Sequence, residues 1–175
     1  MPVIDRMDDA GKAVGFFVDN LHLEDLNPIN CGWHQRDSLR RFGPGIRDHY
    51  ILHYVLSGKG TFTCGGRTYP LEASGLFLIR PGEMVGYEAD EEDPWGYAWI
   101  GFEGRAAETL LEKAGFMGET RTAVLPETRA CFQRIRQSDP DRPFSALRLC
   151  RYLYTVFTVL EEQSTALYSA GRTPA

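Results

Sequence analysis

Short apolar runs separated by tight glycine turns fill residues 30–102, and this pattern limits the possible folds more than any other feature of the 175-residue sequence. In YILHYVLSGKGTFTCGGRTYPL, three strand-like runs are joined by turns at residues 57–60 and 65–66. Paired glycines supply the positive φ angles that short hairpin turns require. The connections are too short for the helical crossovers of a parallel sheet. The pattern therefore predicts an antiparallel barrel or sandwich.

Helical periodicity replaces the strand pattern after Gly104. GRAAETLLEKAGF and LPETRACFQRIRQSD each predict a helix, the first ending at Gly115 and the second with Pro126 in its first turn. The longest helical segment, PFSALRLCRYLYTVFTVLEEQ, is apolar on more than one side. It can therefore pack within the domain, against a partner, or both.

Three large rings alternate with small residues in DPWGYAWIGFEG. Successive side chains of a strand point to opposite faces, so Trp95, Tyr97 and Trp99 are predicted to share one face. They either fill a core or line a pocket. The small residues between them, Gly96 and Ala98, would let the other face pack closely against helices or the N-terminal segment.

Charge and composition disfavour several classes of partner. A net charge of −5 without a Lys/Arg-rich run argues against binding of phosphate backbones by this chain itself. No apolar run approaches the ~20 residues of a membrane-spanning helix, and MPVIDRMDDAGK lacks a signal-peptide core. A cytoplasmic protein without a membrane partner is therefore predicted. The four cysteines form no CxxC pair, so neither a zinc knuckle nor a redox motif is indicated, and no cofactor is expected.

Four motifs in the same order resemble the N-terminal effector-binding and dimerisation domain of AraC-type transcriptional regulators: YILHYVLSGKG, GGRTYPL, PGEMVGY and PWGYAWIGFEG. The similarity covers about residues 30–104 and is greatest to the sugar-responsive branch, such as the arabinose, raffinose and multiple-sugar regulators. It implies an α+β fold, with a cupin-like antiparallel β-barrel of jelly-roll type followed by a C-terminal helical segment. Relatives usually have Gly-Asp where this sequence has Ser74-Gly75, which predicts a changed turn before the next strand.

The resemblance also implies a domain order. Residues 1–29 would be an N-terminal arm and lead-in, 30–103 the effector-binding barrel, 104–165 a helical dimerisation segment and 166–175 a disordered tail. A small-molecule effector, a mono- or oligosaccharide, would enter the barrel, and a homodimer would form through the C-terminal helices. Pro140 and Pro143 disfavour a helix-turn-helix within this chain. DNA would therefore be contacted only by a helix-turn-helix domain expected after residue 175.

Sugars present apolar C–H faces for aromatic stacking and hydroxyls for polar groups. By the resemblance, Trp99 is the stacking platform, and Tyr97 and Tyr87 occupy ligand-contacting positions, although the arabinose regulator has a His in place of Tyr97. Trp95 is expected near the barrel mouth or rim. Arg47 offers five donors in a fixed fork, which suits adjacent hydroxyls or a carboxylate. A packing or surface role stays open for each candidate. The complete predicted set is Arg47, Tyr87, Trp95, Tyr97, Trp99, His53 and His34.

Catalysis is the main alternative, because cupin-type barrels also house metalloenzymes. Such a site needs a cluster of His ligands and a carboxylate, but GKGTFTCGGRTYPLE contains no His, and Val85 stands where the second cupin motif would place one. His49 and His53 would lie roughly 13 Å apart along a strand, too far for one ion. Nucleophile-elbow and P-loop patterns are also missing. No enzymatic activity, catalytic residue or metal ligand is therefore predicted. A barrel filled by its own rings that serves only dimerisation is the third possibility.

Overall fold

A computed structural model describes residues 13–35, 41–116 and 118–170, with side chains described as far as residue 166. Antiparallel strands dominate the first two thirds of this part of the chain, and helices dominate the last third. The strands are β1 (Ala13–Phe16), β2 (Asn27–His34), β3 (Arg41–Ile46), β4 (Tyr50–Ser57), β5 (Lys59–Cys64), β6 (Arg67–Glu72), β7 (Gly75–Ile79), β8 (Met84–Ala89), β9 (Gly96–Glu103) and β10 (Thr122–Val124). The helices are α1 (Ala107–Lys113), α2 (Arg129–Arg136) and α3 (Ala146–Ala170).

The strands form two antiparallel sheets that face each other. One sheet has the order β1-β2-β9-β4-β7-β10 and the other the order β3-β8-β5-β6. Between β4 and β9 the chain therefore crosses repeatedly from one sheet to the other, as in a jelly roll. This arrangement, with the helices after it, is the predicted α+β cupin-like fold.

Glycine turns connect the strands as the sequence predicts. Gly65 and Gly66 have φ angles of 58° and 75° between β5 and β6, a combination that side chains with a Cβ rarely adopt. At the altered turn, Ser74 takes a φ of 73°, and β7 begins at the next residue. The strand predicted to follow this turn is therefore present.

Strand β9 separates two hydrophobic cores. One core lies between the two sheets and includes Tyr97, with Trp99 packed against it. The other lies between the six-stranded sheet and the helices and includes Ala98 and Ile100. The alternation predicted from DPWGYAWIGFEG is therefore present, and its small-residue face packs against the helical segment.

Helix α3 packs on the outer face of the six-stranded sheet. Leu149, Leu153 and Val156 are completely buried, whereas Leu147 and Tyr154 are 71% and 48% exposed. Packing within the domain thus accounts for one side of this helix only. The tail was predicted to begin at residue 166, but the helix continues to Ala170. No Gly or Pro occurs between residues 146 and 170 to interrupt it.

The described part of the predicted arm lies on the helical side of the barrel. Strand β1 pairs with β2, and Phe16 is buried in the core shared with the helices. The backbone N–H of Phe144 donates to the Phe17 carbonyl at 2.8 Å, which ties this segment to the start of α3. Residues 1–12 and 171–175 lie outside the described part. Within it, no helix is both long and apolar enough to cross a membrane.

Candidate functional site in the barrel interior

Aromatic side chains between the two sheets surround His53, which is 3% exposed at the middle of β4. Its ring stacks on Phe77 of β7, with centroids 4.6 Å apart and an interplanar angle of 3°. The distances from the His53 ring centroid to the ring centroids of three further residues are 5.1 Å for Tyr87 of β8, 5.2 Å for Tyr97 of β9 and 6.3 Å for Trp99 of β9. We call this group, with the rings in contact with it, the ring cluster.

The remaining predicted residues join the ring cluster through neighbouring rings. Tyr97 stacks on His34 of β2 at 5.4 Å and meets Trp95 edge-on at 6.0 Å. The Arg47 guanidinium carbon lies 4.1 Å from the centroid of Phe42, and Phe42 stacks on Tyr87 at 5.0 Å. The structure therefore brings all seven predicted residues into one connected group.

Trp95 lies deep in the interior, so the prediction that it stands at the mouth or rim is wrong. Its side chain is 1% exposed and stacks on Phe77 at 5.8 Å. The reason is the backbone before it. The N–H of Lys59 donates to the Asp93 carbonyl at 2.9 Å, and Pro94 forms a bridge with Lys59. These contacts hold the chain against β5 and direct the indole between the sheets.

The ring cluster has one closed end and one end that reaches solvent. Trp95 and Tyr97 are 1% and 3% exposed, whereas Phe42, Arg47 and Trp99 are only partly buried. A ligand would therefore reach the cluster from the side of Arg47 and Trp99.

Asn30, Gly32 and His49 complete this open end, and sequence reasoning missed them. In the β2–β9 pairing, Gly32 stands opposite Trp99 and Asn30 opposite Gly101. A Cβ on Gly32 would lie 2.5 Å from Trp99 Cη2, so glycine is what lets the indole extend across β2. Asn30 Nδ2 is 3.1 Å from His49 Nε2. No local signal marks Asn30 and Gly32 as part of the site, because they meet β9 only through the β2–β9 register. These two strands are about 70 residues apart in the sequence.

Several buried polar atoms of this region have no hydrogen-bond partner among the described residues. They are Arg47 Nε, His53 Nδ1, Trp95 Nε1 and Asn30 Oδ1. Trp33 Nε1 is in the same condition, but Trp33 packs against the helical core on the other side of the sheet. Unpaired buried polar atoms are costly and uncommon. Four of them in one aromatic-lined interior suit a small molecule with polar groups.

The sequence profile of the AraC-like ligand binding domain matches residues 27–157. This chain belongs to the AraC-like ligand binding domain family. The match confirms the predicted resemblance and covers strands β2 to β10, helices α1 and α2, and α3 as far as residue 157.

Three curated relatives of this AraC-like domain regulate operons. The Msm operon regulatory protein of Streptococcus mutans is 40% identical over 51% of this chain and 32% of its own length. The lactose operon transcription activator of Staphylococcus xylosus is 27% identical over 84% of this chain and 54% of its own length. The raffinose operon transcriptional regulatory protein of Pediococcus pentosaceus is 41% identical over 34% and 22%. The chain thus spans about half of the lactose activator and less of the other two.

Among solved structures, a cupin protein from Bacteroides fragilis is similar, with a TM-score of 0.41 and 20% sequence identity, over 57% of this chain and 82% of the other.

Burial and charge keep His53 of the AraC-like domain neutral. Desolvation, together with electrostatic interactions with Arg47 and His49, lowers the pKa of His53 from 6.5 to about 3. At neutral pH its ring is therefore an uncharged donor and acceptor. Among the described residues, no group of three or more His, Cys, Asp or Glu side chains is placed to hold a metal ion.

Two surface grooves lie beside the ring cluster. One runs along β3, β5 and β8 and is lined by Phe42 and Tyr87, which connects it to the cluster. The other lies by β5, β6 and the acidic loop after β8. Neither is lined by Trp95, Tyr97 or Trp99.

Proposed function

We propose that this AraC-like domain is the sensing part of a transcription regulator and that it binds a mono- or oligosaccharide in the ring cluster. The observation that carries the proposal is the set of unpaired buried polar atoms of Arg47, His53 and Trp95 among stacked rings. Aromatic faces suit the C–H surfaces of a sugar, and polar atoms between them suit its oxygens. Two relatives are named for the lactose and raffinose operons, which supports a sugar as the effector.

The sugar would enter at the open end of the cluster. Trp99 would stack on the sugar ring, while Arg47 and Asn30 would bond its outer oxygens. Tyr87 and Tyr97 would contact the same ligand from the facing sheets. His53, His34 and Trp95 lie deeper, so they would contact an effector that displaces the rings above them. No cofactor and no catalytic step are part of this function.

Signal transfer would run through the helices. Phe102 of β9 meets Phe157 of α3 at 5.8 Å and 76°, so the ligand-facing strand contacts the long helix directly. The exposed Leu147 and Tyr154 on α3 would pack in a homodimer. An effector that prefers one dimer arrangement would shift the equilibrium toward it. DNA would then be contacted, in the cytoplasm, by a further domain of the regulator.

Tryptophan fluorescence tests the binding site directly, because the three tryptophans lie in different places. A panel of neutral and acidic mono- and oligosaccharides is titrated into the wild type, Trp99→Phe and Trp33→Phe. The proposal predicts that at least one sugar changes the emission with saturation, that Trp99→Phe weakens its affinity, and that Trp33→Phe keeps it. Circular dichroism checks that each variant is folded. A saturable signal that survives in Trp99→Phe but is lost in Trp33→Phe would place the ligand elsewhere.

A barrel that only dimerises is the second candidate, and the burial of Trp95 and Tyr97 favours it. In that case the rings are a hydrophobic core and bind no ligand. The same titration distinguishes the two functions when dimerisation is measured alongside it by analytical ultracentrifugation. A stable dimer whose fluorescence is unchanged by every sugar in the panel supports the structural function and contradicts the sensor.

A further inference from the structure

Two of the four unpaired polar atoms that face the interior are hydrogen-bond donors only. Arg47 Nε and Trp95 Nε1 can only donate, and both are buried without a partner among the described residues. The neutral ring of His53 can donate from one nitrogen. Asn30 Oδ1 is an unpaired acceptor, and His53 Nδ1 donates or accepts according to the tautomer of the ring.

Carboxylate side chains, the strongest acceptors a protein offers to sugar hydroxyls, are missing from the described part of the ring cluster. Glu83 is committed to Arg121, whose Nε donates to it at 3.1 Å, and it also accepts from the Cys64 thiol. The side chain of Asp48 is 95% exposed and points to solvent beside His49. Neutral sugars carry hydroxyls that need both donors and acceptors, so a donor-rich interior fits them poorly.

Arg47 carries a positive charge without an ion-pair partner among the described residues. Its guanidinium carbon lies over the ring of Phe42, 4.1 Å from the ring centroid, at the open end of the cluster. By contrast, Arg80, Arg105 and Arg121 each pair with a carboxylate. An arginine held against an aromatic ring, with its Nε buried and unpaired, is well placed to receive a carboxylate from a ligand.

We propose that the effector is a saccharide that carries a carboxylate, such as a uronic or aldonic acid, with the carboxylate on Arg47 and the sugar ring on Trp99. This inference rests on the proposed function and narrows its ligand class. One guanidinium balances one negative charge, which favours a carboxylate over the doubly charged phosphate of a sugar phosphate. A ligand hydroxyl would donate to Asn30 Oδ1. The two recognised groups, one anionic and one hydroxyl, would fix the orientation of the ring.

Matched ligand pairs test the inference by calorimetry or fluorescence titration. Galactose, galacturonate and galactose 6-phosphate form one series, and glucose, glucuronate and glucose 6-phosphate another. We expect one uronate to bind about tenfold or more tighter than its neutral parent, the size of one charge-assisted hydrogen bond. Arg47→Gln should remove that preference, because it should lower uronate affinity about tenfold or more beyond any loss of affinity for the neutral parent. Arg47→Lys should keep part of the preference.

Arg41→Gln is the matched control, since Arg41 is exposed and lies 3.6 Å from Glu88 at the surface. It should leave uronate affinity unchanged. Wild-type affinity for the uronate should also fall with added salt, whereas neutral-sugar affinity should not, a readout that needs no variant.

The other outcomes contradict the acidic effector, the carboxylate or the proposed function separately. Equal or tighter binding of the neutral sugar overturns the acidic-effector inference and leaves the proposed function standing. Tighter binding of the 6-phosphate overturns the assignment of a carboxylate. Absence of binding by every sugar, acidic or neutral, overturns the proposed function itself.

Discussion

The buried ring of His53 should make the free energy of unfolding depend on pH. Its pKa is about 3 in the folded protein and 6.5 when unperturbed. Below about pH 6.5, the unfolded chain binds a proton on this ring that the folded protein does not bind. Protonation therefore favours unfolding, and the stabilisation from neutral His53 is lost as the pH falls from 6.5 toward 3.

The magnitude follows from these two pKa values. Lowering the pH from about 7.5 to about 5 should reduce the free energy of unfolding by about 2 kcal/mol through this one group. In His53→Phe, where the aromatic stack on Phe77 is retained, that part of the loss should disappear. The control is His22→Asn, because His22 is exposed and its φ of 53° is one that asparagine tolerates.

Urea unfolding followed by circular dichroism at both pH values measures the difference. The wild type and His22→Asn should each lose about 2 kcal/mol more than His53→Phe on acidification. If the three proteins lose the same free energy, His53 is not held neutral in the interior. The packing of the ring cluster around it would then be refuted.

Two contacts outside the cluster give further predictions. The Tyr50 hydroxyl donates a hydrogen bond to Glu108 at 3.0 Å. Tyr50→Phe should therefore lower the free energy of unfolding, measured by urea titration, by about 0.5–1.5 kcal/mol. An unchanged free energy of unfolding would show that the hydrogen bond is absent. The edge-on contact of Phe102 with Phe157 should give a coupling energy of about 0.5–1.5 kcal/mol in a double-mutant cycle with leucine replacements. A coupling near zero would remove the direct link between β9 and α3.

Local sequence patterns account for the elements and for which side chains share a face. Glycine turns at 65–66 predict a hairpin because few other residues adopt their φ angles. Alternation in β9 predicts that Tyr97 and Trp99 face one side and Ala98 the other. These features depend on residues next to each other in the chain, and the structure shows each of them.

The composition of the candidate site depends on pairings that local patterns do not contain. Gly32 and Asn30 belong to the open end only because β2 pairs with β9 in one particular register. Trp95 lies inside, not at the rim, because a backbone bond between Lys59 and Asp93 holds the preceding residues against β5. Both facts concern strands that meet after folding, so a single sequence carries no direct sign of them.

The central claim is that the indole of Trp99 forms part of a saccharide-binding site. Fluorine NMR of the protein labelled with 5-fluorotryptophan tests this claim most directly. The three tryptophans give three resonances, assigned with Trp33→Phe, Trp95→Phe and Trp99→Phe. Titration with the acidic and neutral sugar series should shift the Trp99 resonance with saturation and leave that of Trp33 unmoved. A Trp99 resonance that stays fixed through every sugar, or a shift confined to Trp33, would contradict the account.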